Sequence, residues 1–195
     1  MRAGADAPRR VVSAPSRITG GASRVTGAVG TPSDAEDGDW WFLGTRVSQL
    51  TPRSAQMVVA EAVLPEGASP PLHVHDDLDD SFYVVEGEMV VRCSDDVSLA
   101  TPGTWVPFPR RLPHTFRVMG GPARVLMVHA NDSFLRAVRS IGRPAADEDV
   151  PTIRSGPRPD ELARAMAAND ITAVGAPMEE DEAQSWLQAL RPGPT

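Results

Sequence analysis

The sequence predicts an all-β chain, an antiparallel sandwich or barrel followed by short C-terminal helices. Three observations carry this. Between Trp40 and His129, short apolar runs rich in β-branched and aromatic residues are separated by Gly, Pro and Asp clusters. Turn signals recur at about 8–12 residues, the spacing of sandwiches and barrels. No helical pattern of ~10–15 residues interrupts them, which argues against a parallel α/β sheet.

Taken in order, the runs read as strands are Val47–Leu50, Gln56–Leu64, Ser81–Glu86, Glu88–Cys93, Thr104–Phe108, His114–Val118 and Ala123–His129. Glu86-Gly87 reads as a tight hairpin turn, with Gly supplying a positive φ. Ser94-Asp95-Asp96 and Met119-Gly120-Gly121-Pro122 read as the next turns. Beyond them the period changes. Ser133 reads as a cap for a helix over Phe134–Ile141, with Gly142 as its stop. A proline-rich stretch with Pro144, Pro151, Pro157 and Pro159 follows, then a helix over Asp160–Asn169 with Leu162 and Met166 on one face. Glu179, Glu180, Asp181 and Glu182 open an acidic helix through Leu190, where carboxylates meet the positive end of the helix dipole. Trp40 and Trp41 point to opposite faces of any strand that holds them, so one is expected on the core and the other toward a partner subunit.

The chain has 195 residues and a net charge of −7, room for one domain with tails at about 100–200 residues per domain. Residues 1–30 hold five Arg and one Asp among Gly, Ser, Ala and Thr. Such a stretch buries too little apolar surface to offset the entropy of ordering it. The expected organisation is a disordered basic arm over 1–38, a barrel over 39–132 and a helical extension over 133–195.

All 19 basic residues are Arg. Without lysine, Schiff-base and P-loop chemistry are excluded, and the acidic balance argues against a nucleic-acid partner. Cys93 is the single cysteine. It can form neither an internal disulfide nor a cysteine-rich zinc site, and it reads as an inert thiol. No run approaches the ~18 apolar residues of a membrane helix, and no apolar signal core follows Arg9-Arg10. The expectation is a cytoplasmic protein with no membrane partner.

The chemistry concentrates on the four histidines, His73, His75, His114 and His129. His73 and His75 are two apart and share a strand face. The acidic run Asp76-Asp77-Leu78-Asp79-Asp80 follows. Two imidazoles with a nearby carboxylate suit a divalent transition metal, whether Fe, Mn, Ni, Cu or Zn; a surface or structural role is the bland alternative. The frame around them is wider. Gly67 precedes His73 by five intervening residues, Asp80 lies four past His75, and Gly87 six past Asp80. Downstream, five residues separate Gly103 from Pro109, and four separate Pro109 from His114.

These residues resemble the two motifs of the cupin superfamily, G(X)5HXH(X)3–4E(X)6G and G(X)5PXG(X)2H(X)3N, over about Gly67–Val118. The resemblance implies a double-stranded β-helix, a jelly-roll barrel, usually dimeric. It also implies one divalent metal held by His73, His75, Asp80 and His114. Asp80 stands at the motif's glutamate, one methylene shorter, and Asp79 competes for that place because the motif allows three intervening residues. Arg111 replaces the second motif's glycine and Val118 its asparagine, which bears on turn and packing geometry. Tyr83-Val84-Val85-Glu86-Gly87, the Val106–His114 run and the C-terminal helices look like the quercetin-dioxygenase-like group.

The function so implied is a metal-dependent dioxygenase acting on a small phenolic or enol-type substrate. In it Asp80 completes the metal shell or acts as general base toward a substrate hydroxyl. The alternatives are a non-oxidative cyclase, isomerase or lyase, and a non-catalytic small-molecule-binding module. Phe82, Met89, Trp105, Phe116 and Met127 are the expected apolar cavity lining. Arg110, Arg111 and Arg117 form either a solvated rim or an acid-binding site near His114, while His129 reads as a hydrogen-bonded core or rim residue.

Overall fold

The structure is a computed structural model that describes residues 38–53, 55–145 and 158–191. The expected basic arm, apart from Gly38, and most of the proline-rich stretch lie outside the described residues. The elements in chain order are β1 (Asp39–Phe42), β2 (Thr45–Gln49), β3 (Val58–Leu64), β4 (Pro71–His75), β5 (Asp80–Cys93), β6 (Asp96–Ala100), β7 (Trp105–Phe108), β8 (His114–His129), α1 (Ser133–Ile141), β9 (Arg143–Pro144), α2 (Pro159–Ala167), β10 (Ile171–Pro177) and α3 (Glu180–Leu190). The strands are antiparallel and form a jelly-roll barrel with three short helices.

Two long strands organise the barrel. The C-terminal part of β8 pairs with β3 on one side and with the start of β5 on the other; β2, β1 and β9 extend this face beyond β3, and β7 closes it beyond β5. The first part of β8 instead pairs with the end of β5 and, through His114 and His73, with β4; β6 and β10 extend that second face. β5 and β8 therefore run through both faces.

The crossing points are glycines. Gly87 has φ +78° within β5, where the register to β8 shifts between Val84 and Glu88. A Cβ there would lie 2.6 Å from the Pro122 carbonyl oxygen and 2.7 Å from the Ala123 Cα, so both the conformation and the space require glycine. On β8, Gly120 and Gly121 have φ +67° and +129°. The hairpin turns expected at Glu86-Gly87 and Met119–Pro122 are thus corrected to bulges inside continuous strands. The left-handed glycines serve to bend each strand between faces and not to reverse it. Ser94-Asp95 does reverse the chain, between Cys93 and its partner Asp96.

Alternation sets the core. β3 reads buried–intermediate throughout, and Ala60, Ala62 and Leu64 meet Phe82, Val84, Phe108, Phe116, Val125 and Met127 in one cluster. Trp40 packs against this cluster, while Trp41, on the other face of β1, is covered within the chain and lies under the Arg143 guanidinium at 5.7 Å. Trp105, expected in the cavity wall, is instead 52% exposed on β7, opposite Tyr83. A strand only four residues long offers two sides, and Val106 and Phe108 take the inner one.

Helix α1 starts at Ser133 itself with Asp132 at its N-cap, so the predicted Ser133 cap is corrected; the Asn131 side chain accepts from the Ser133 backbone N–H at 2.9 Å. Gly142 ends the helix in extended conformation. Its glycine is needed for close approach, because a Cβ would meet the Val138 and Trp41 carbonyl oxygens at 2.3 and 2.9 Å. α2 sets Met166 and Leu162 against Ala137 and Ile171, and α3 sets Ala183 and Leu187 against Val90 and Met119 on the outside of the barrel. β6 and β10 were not anticipated. β10 matters most, because it pairs with β4 and shields the edge of the strand that carries His73 and His75.

Candidate metal centre

Strand alternation places His73 and His75 on one side of β4, and the β4–β8 pairing sets His114 directly opposite His73. The three rings converge, with centroids 4.3 Å apart for His73–His114, 5.0 Å for His73–His75 and 5.1 Å for His75–His114. One nitrogen from each lies within 4.8 Å of the others. His75 and His114 are buried and His73 is partly buried.

Backbone carbonyls orient two of the rings. His73 Nδ1 is 2.8 Å from the Pro71 carbonyl oxygen, and His114 Nδ1 is 3.0 Å from that of Leu112. A carbonyl only accepts, so each Nδ1 carries the proton and each Nε2 keeps its lone pair. Such outer hydrogen bonds fix tautomer and ring direction in metal-ligating histidines. Burial is the largest influence on all three imidazoles and disfavours their charged forms. His73 is lowered to about 4, with the neighbouring His114 adding to the effect, and His75 is lowered to about 3. His114 is lowered too. At neutral pH the site is three neutral imidazoles.

These residues fit a divalent transition metal. Among the described residues, His114 Nε2 and His75 Nδ1 are buried without a hydrogen-bond partner, an arrangement that costs free energy unless something else engages them. Three neutral imidazole donors suit Zn, Fe, Cu or Ni and do not choose among them.

The two acids that competed for the fourth position separate clearly. Asp79 is half exposed and accepts from the Arg110 backbone and guanidinium at 2.9 and 2.8 Å. That hydrogen bonding holds its carboxyl at about 2. It is not among the residues that line the cavity with the histidines. Asp80 is buried, lines the same cavity as the three histidines, and has its Oδ1 2.9 Å from His129 Nε2. Burial alone would raise the Asp80 carboxyl, but His129, followed by His75 and His114, holds it below its ordinary value. It is not one of the three residues whose donor atoms converge.

The cavity above the histidines has a volume of about 330 Å³. Its wall is mostly apolar, with Phe42, Phe82, Phe108, Phe116, Met127 and Phe134. Of the expected lining, Phe82, Phe116 and Met127 take part, whereas Met89 is buried in the core away from it. The three arginines divide. Arg110 is tied to Asp79 and Asp77, and Arg111 reaches the Asp76 carbonyl. Arg117 touches the cavity but donates to the Met178 carbonyl at 3.0 Å and pairs with Glu180. Arg111 takes φ +65° where the motif has glycine, and its N–H donates to the His75 carbonyl at 2.8 Å. The turn geometry survives the replacement. Val118 is buried and exchanges backbone hydrogen bonds with Gly67 and Ala68, filling the asparagine position by packing. Cys93 is partly buried, and burial raises its thiol, consistent with low reactivity. Among the described residues no helix is long and apolar enough to cross a membrane.

The fold is thus a bent two-faced barrel with histidines converging from β4 and β8. Residues 60–129 match the family described as "Cupin domain". No curated protein matches the chain. Among solved structures, the chain is similar to KdgF from Halomonas sp., at 19% identity and a TM-score of 0.43, covering 47% of this chain and 84% of that one. A protein from Thermus thermophilus aligns at 30% identity and TM-score 0.39, over 44% of this chain and 83% of that one. A sugar phosphate isomerase from a cupin superfamily, from Silicibacter pomeroyi, aligns at 26% identity and TM-score 0.39, over 44% and 59% of the two chains.

Proposed function

We propose that the protein is a metal-dependent cupin enzyme whose His73, His75 and His114 hold one divalent metal, and that it is a dioxygenase acting on a small phenolic or enol-type substrate. The observation that carries the reading is the convergence of the three imidazoles at the floor of an apolar, aromatic-walled cavity. A bound metal would supply Lewis acidity and a template for substrate and O2. Three protein ligands leave coordination positions for them.

The chain's own residues supply the rest. A volume of about 330 Å³ lies at the small end of the ~300–1,000 Å³ of small-molecule sites, which favours a compact organic molecule. The phenylalanine walls favour an aromatic or otherwise planar one and exclude water, strengthening every electrostatic interaction inside. Asp80 is the acidic side chain that lines the cavity, placed to take a hydroxyl proton from a phenol or enol.

The test is metal analysis of anaerobically purified protein, followed by O2 uptake against a panel of phenols and enols. Metal-dependent uptake stoichiometric with substrate loss is expected. Conversion of the same substrates without O2 would replace the dioxygenase reading by a cyclase, isomerase or lyase.

A further inference from the structure

We infer that Asp80 stays outside the metal's ligand set and serves as the cavity's proton acceptor, held in place from behind by His129. This rests on the metal-dependent reading above and assigns a positioning role to the fourth histidine.

The barrel's geometry separates His129 from the other three. Asp80 and His129 are register partners on β5 and β8, so their side chains leave the sheet on the same side, next to each other. His129 is 1% exposed and stands edge-on to Phe134, with ring centroids 5.1 Å apart at 89°. Asp80 lines the cavity and His129 does not. The carboxylate therefore has the cavity on one side and the imidazole on the other.

The contact is exclusive among the described residues. His129 Nε2 and Asp80 Oδ1 lie 2.9 Å apart, a close contact between opposite-charge partners, and among the described residues neither atom makes a regular hydrogen bond. Because the carboxylate only accepts, the contact is attractive when Nε2 carries a proton. Asp80 is one methylene shorter than the acid of the cupin motif. Tethered to His129, it stays outside the group of nitrogens that converge within 4.8 Å. One carboxylate oxygen is committed to His129, and the other remains for a ligand in the cavity.

The step this permits is simple. The O–H bond of a substrate hydroxyl breaks, its proton forms an O–H bond to Asp80, and the electron pair stays on the substrate oxygen. Asp80 passes from carboxylate to acid and returns the proton as product leaves. His129 changes no bond. It fixes the carboxylate's direction.

Zinc binding followed by long-range proton–nitrogen NMR on the full chain tests this, since only four imidazoles are present. His129→Gln identifies the fourth by its loss. Added Zn2+ is expected to shift the nitrogens of His73, His75 and His114 and leave those of His129 in place. Asp80→Asn is expected to shift His129 in the metal-free protein, while one zinc still binds with a Kd within about tenfold of the original, below the ~10–100-fold that loss of an outer partner typically costs. A His129 signal indifferent to Asp80→Asn, or a zinc affinity that collapses in that variant, overturns the inference. If zinc moves no imidazole, the metal-dependent reading fails, while the response of His129 to Asp80→Asn still decides the contact. Once a substrate is in hand, His129→Leu is expected to lower kcat at unchanged metal content, and His129→Gln, which keeps an N–H donor, to restore it.

Discussion

His73 lies directly opposite His114 across the β4–β8 pairing, and their rings stand 4.3 Å apart, centroid to centroid. One register thus joins the two halves of the site. The expected consequence is that neither half suffices. His114→Ala should abolish stoichiometric metal binding as completely as the double change His73→Ala, His75→Ala, while circular dichroism still reports the barrel. Metal content per chain, read by elemental analysis, checks it, and a variant that keeps one metal per chain contradicts it.

Acid should destabilise the metal-free protein in a defined window. The unfolded histidines titrate near ~6.5, whereas His73 and His75 are lowered to about 4 and about 3 in the folded protein. Above pH ~6.5 both states are neutral and these groups contribute no pH dependence. Between ~6.5 and about 4 the unfolded chain binds more protons, so stability falls as pH falls. Denaturant unfolding at a series of pH values measures this slope. Bound metal should steepen it, because protons and metal compete for the same nitrogens.

Gly87→Ala should be severely destabilising. The new Cβ would lie 2.6 Å from a backbone oxygen at φ +78°, and backbone on both long strands would have to move. A loss of at least ~2 kcal/mol is expected, well above the ~0.5–1 kcal/mol by which a glycine-to-alanine change at an unstrained site usually helps. Urea unfolding reads it, and a neutral result would mean that the strand does not bend there.

Arg111→Gly should do the opposite. Arg111 occupies the left-handed region at φ +65°, which costs a non-glycine residue ~1–2 kcal/mol, partly offset by the ~0.5–1 kcal/mol that glycine adds to the entropy of the unfolded chain. A gain of about 0.5 kcal/mol with unchanged metal content is expected from the same unfolding measurement. A loss above about 1 kcal/mol would show that the guanidinium contact to Asp76 outweighs the strain.

Asp79→Asn should leave metal content untouched. The Asp79 carboxylate is half exposed and engaged with Arg110, and an exposed pair contributes only ~0–1 kcal/mol to stability. Elemental analysis of this variant beside Asp80→Asn separates the two neighbouring acids, whose roles sequence spacing leaves ambiguous.

The residues that sequence made legible are those whose chemistry is rare in this chain. With four histidines and no lysine, the spacing of His73, His75 and His114 left little choice, and the structure brings those three together. The glycines were legible as conformations but not as places. Gly87 and Gly120-Gly121 do take positive φ, yet the same signal marks a hairpin reversal and a bulge, and only the long-range pairing of β5 with β8 tells them apart. Trp105 escaped for a similar reason, since alternation gives two sides without saying which is inner. β10 carries almost no apolar pattern because only Ile171 is buried; it is held by pairing with β4. The Asp80–His129 contact was least visible of all, because it joins residues from strands far apart in sequence, and His129 sits in an apolar run that reads as core.

The most direct test of the central claim is the metal content of anaerobically purified protein, compared with the His73→Ala, His75→Ala double variant. Close to one divalent transition metal per chain is expected in the unaltered protein and essentially none in the variant, with both folded. An unaltered protein that takes up no metal when any of these ions is supplied, or a folded variant that retains it, would contradict the account.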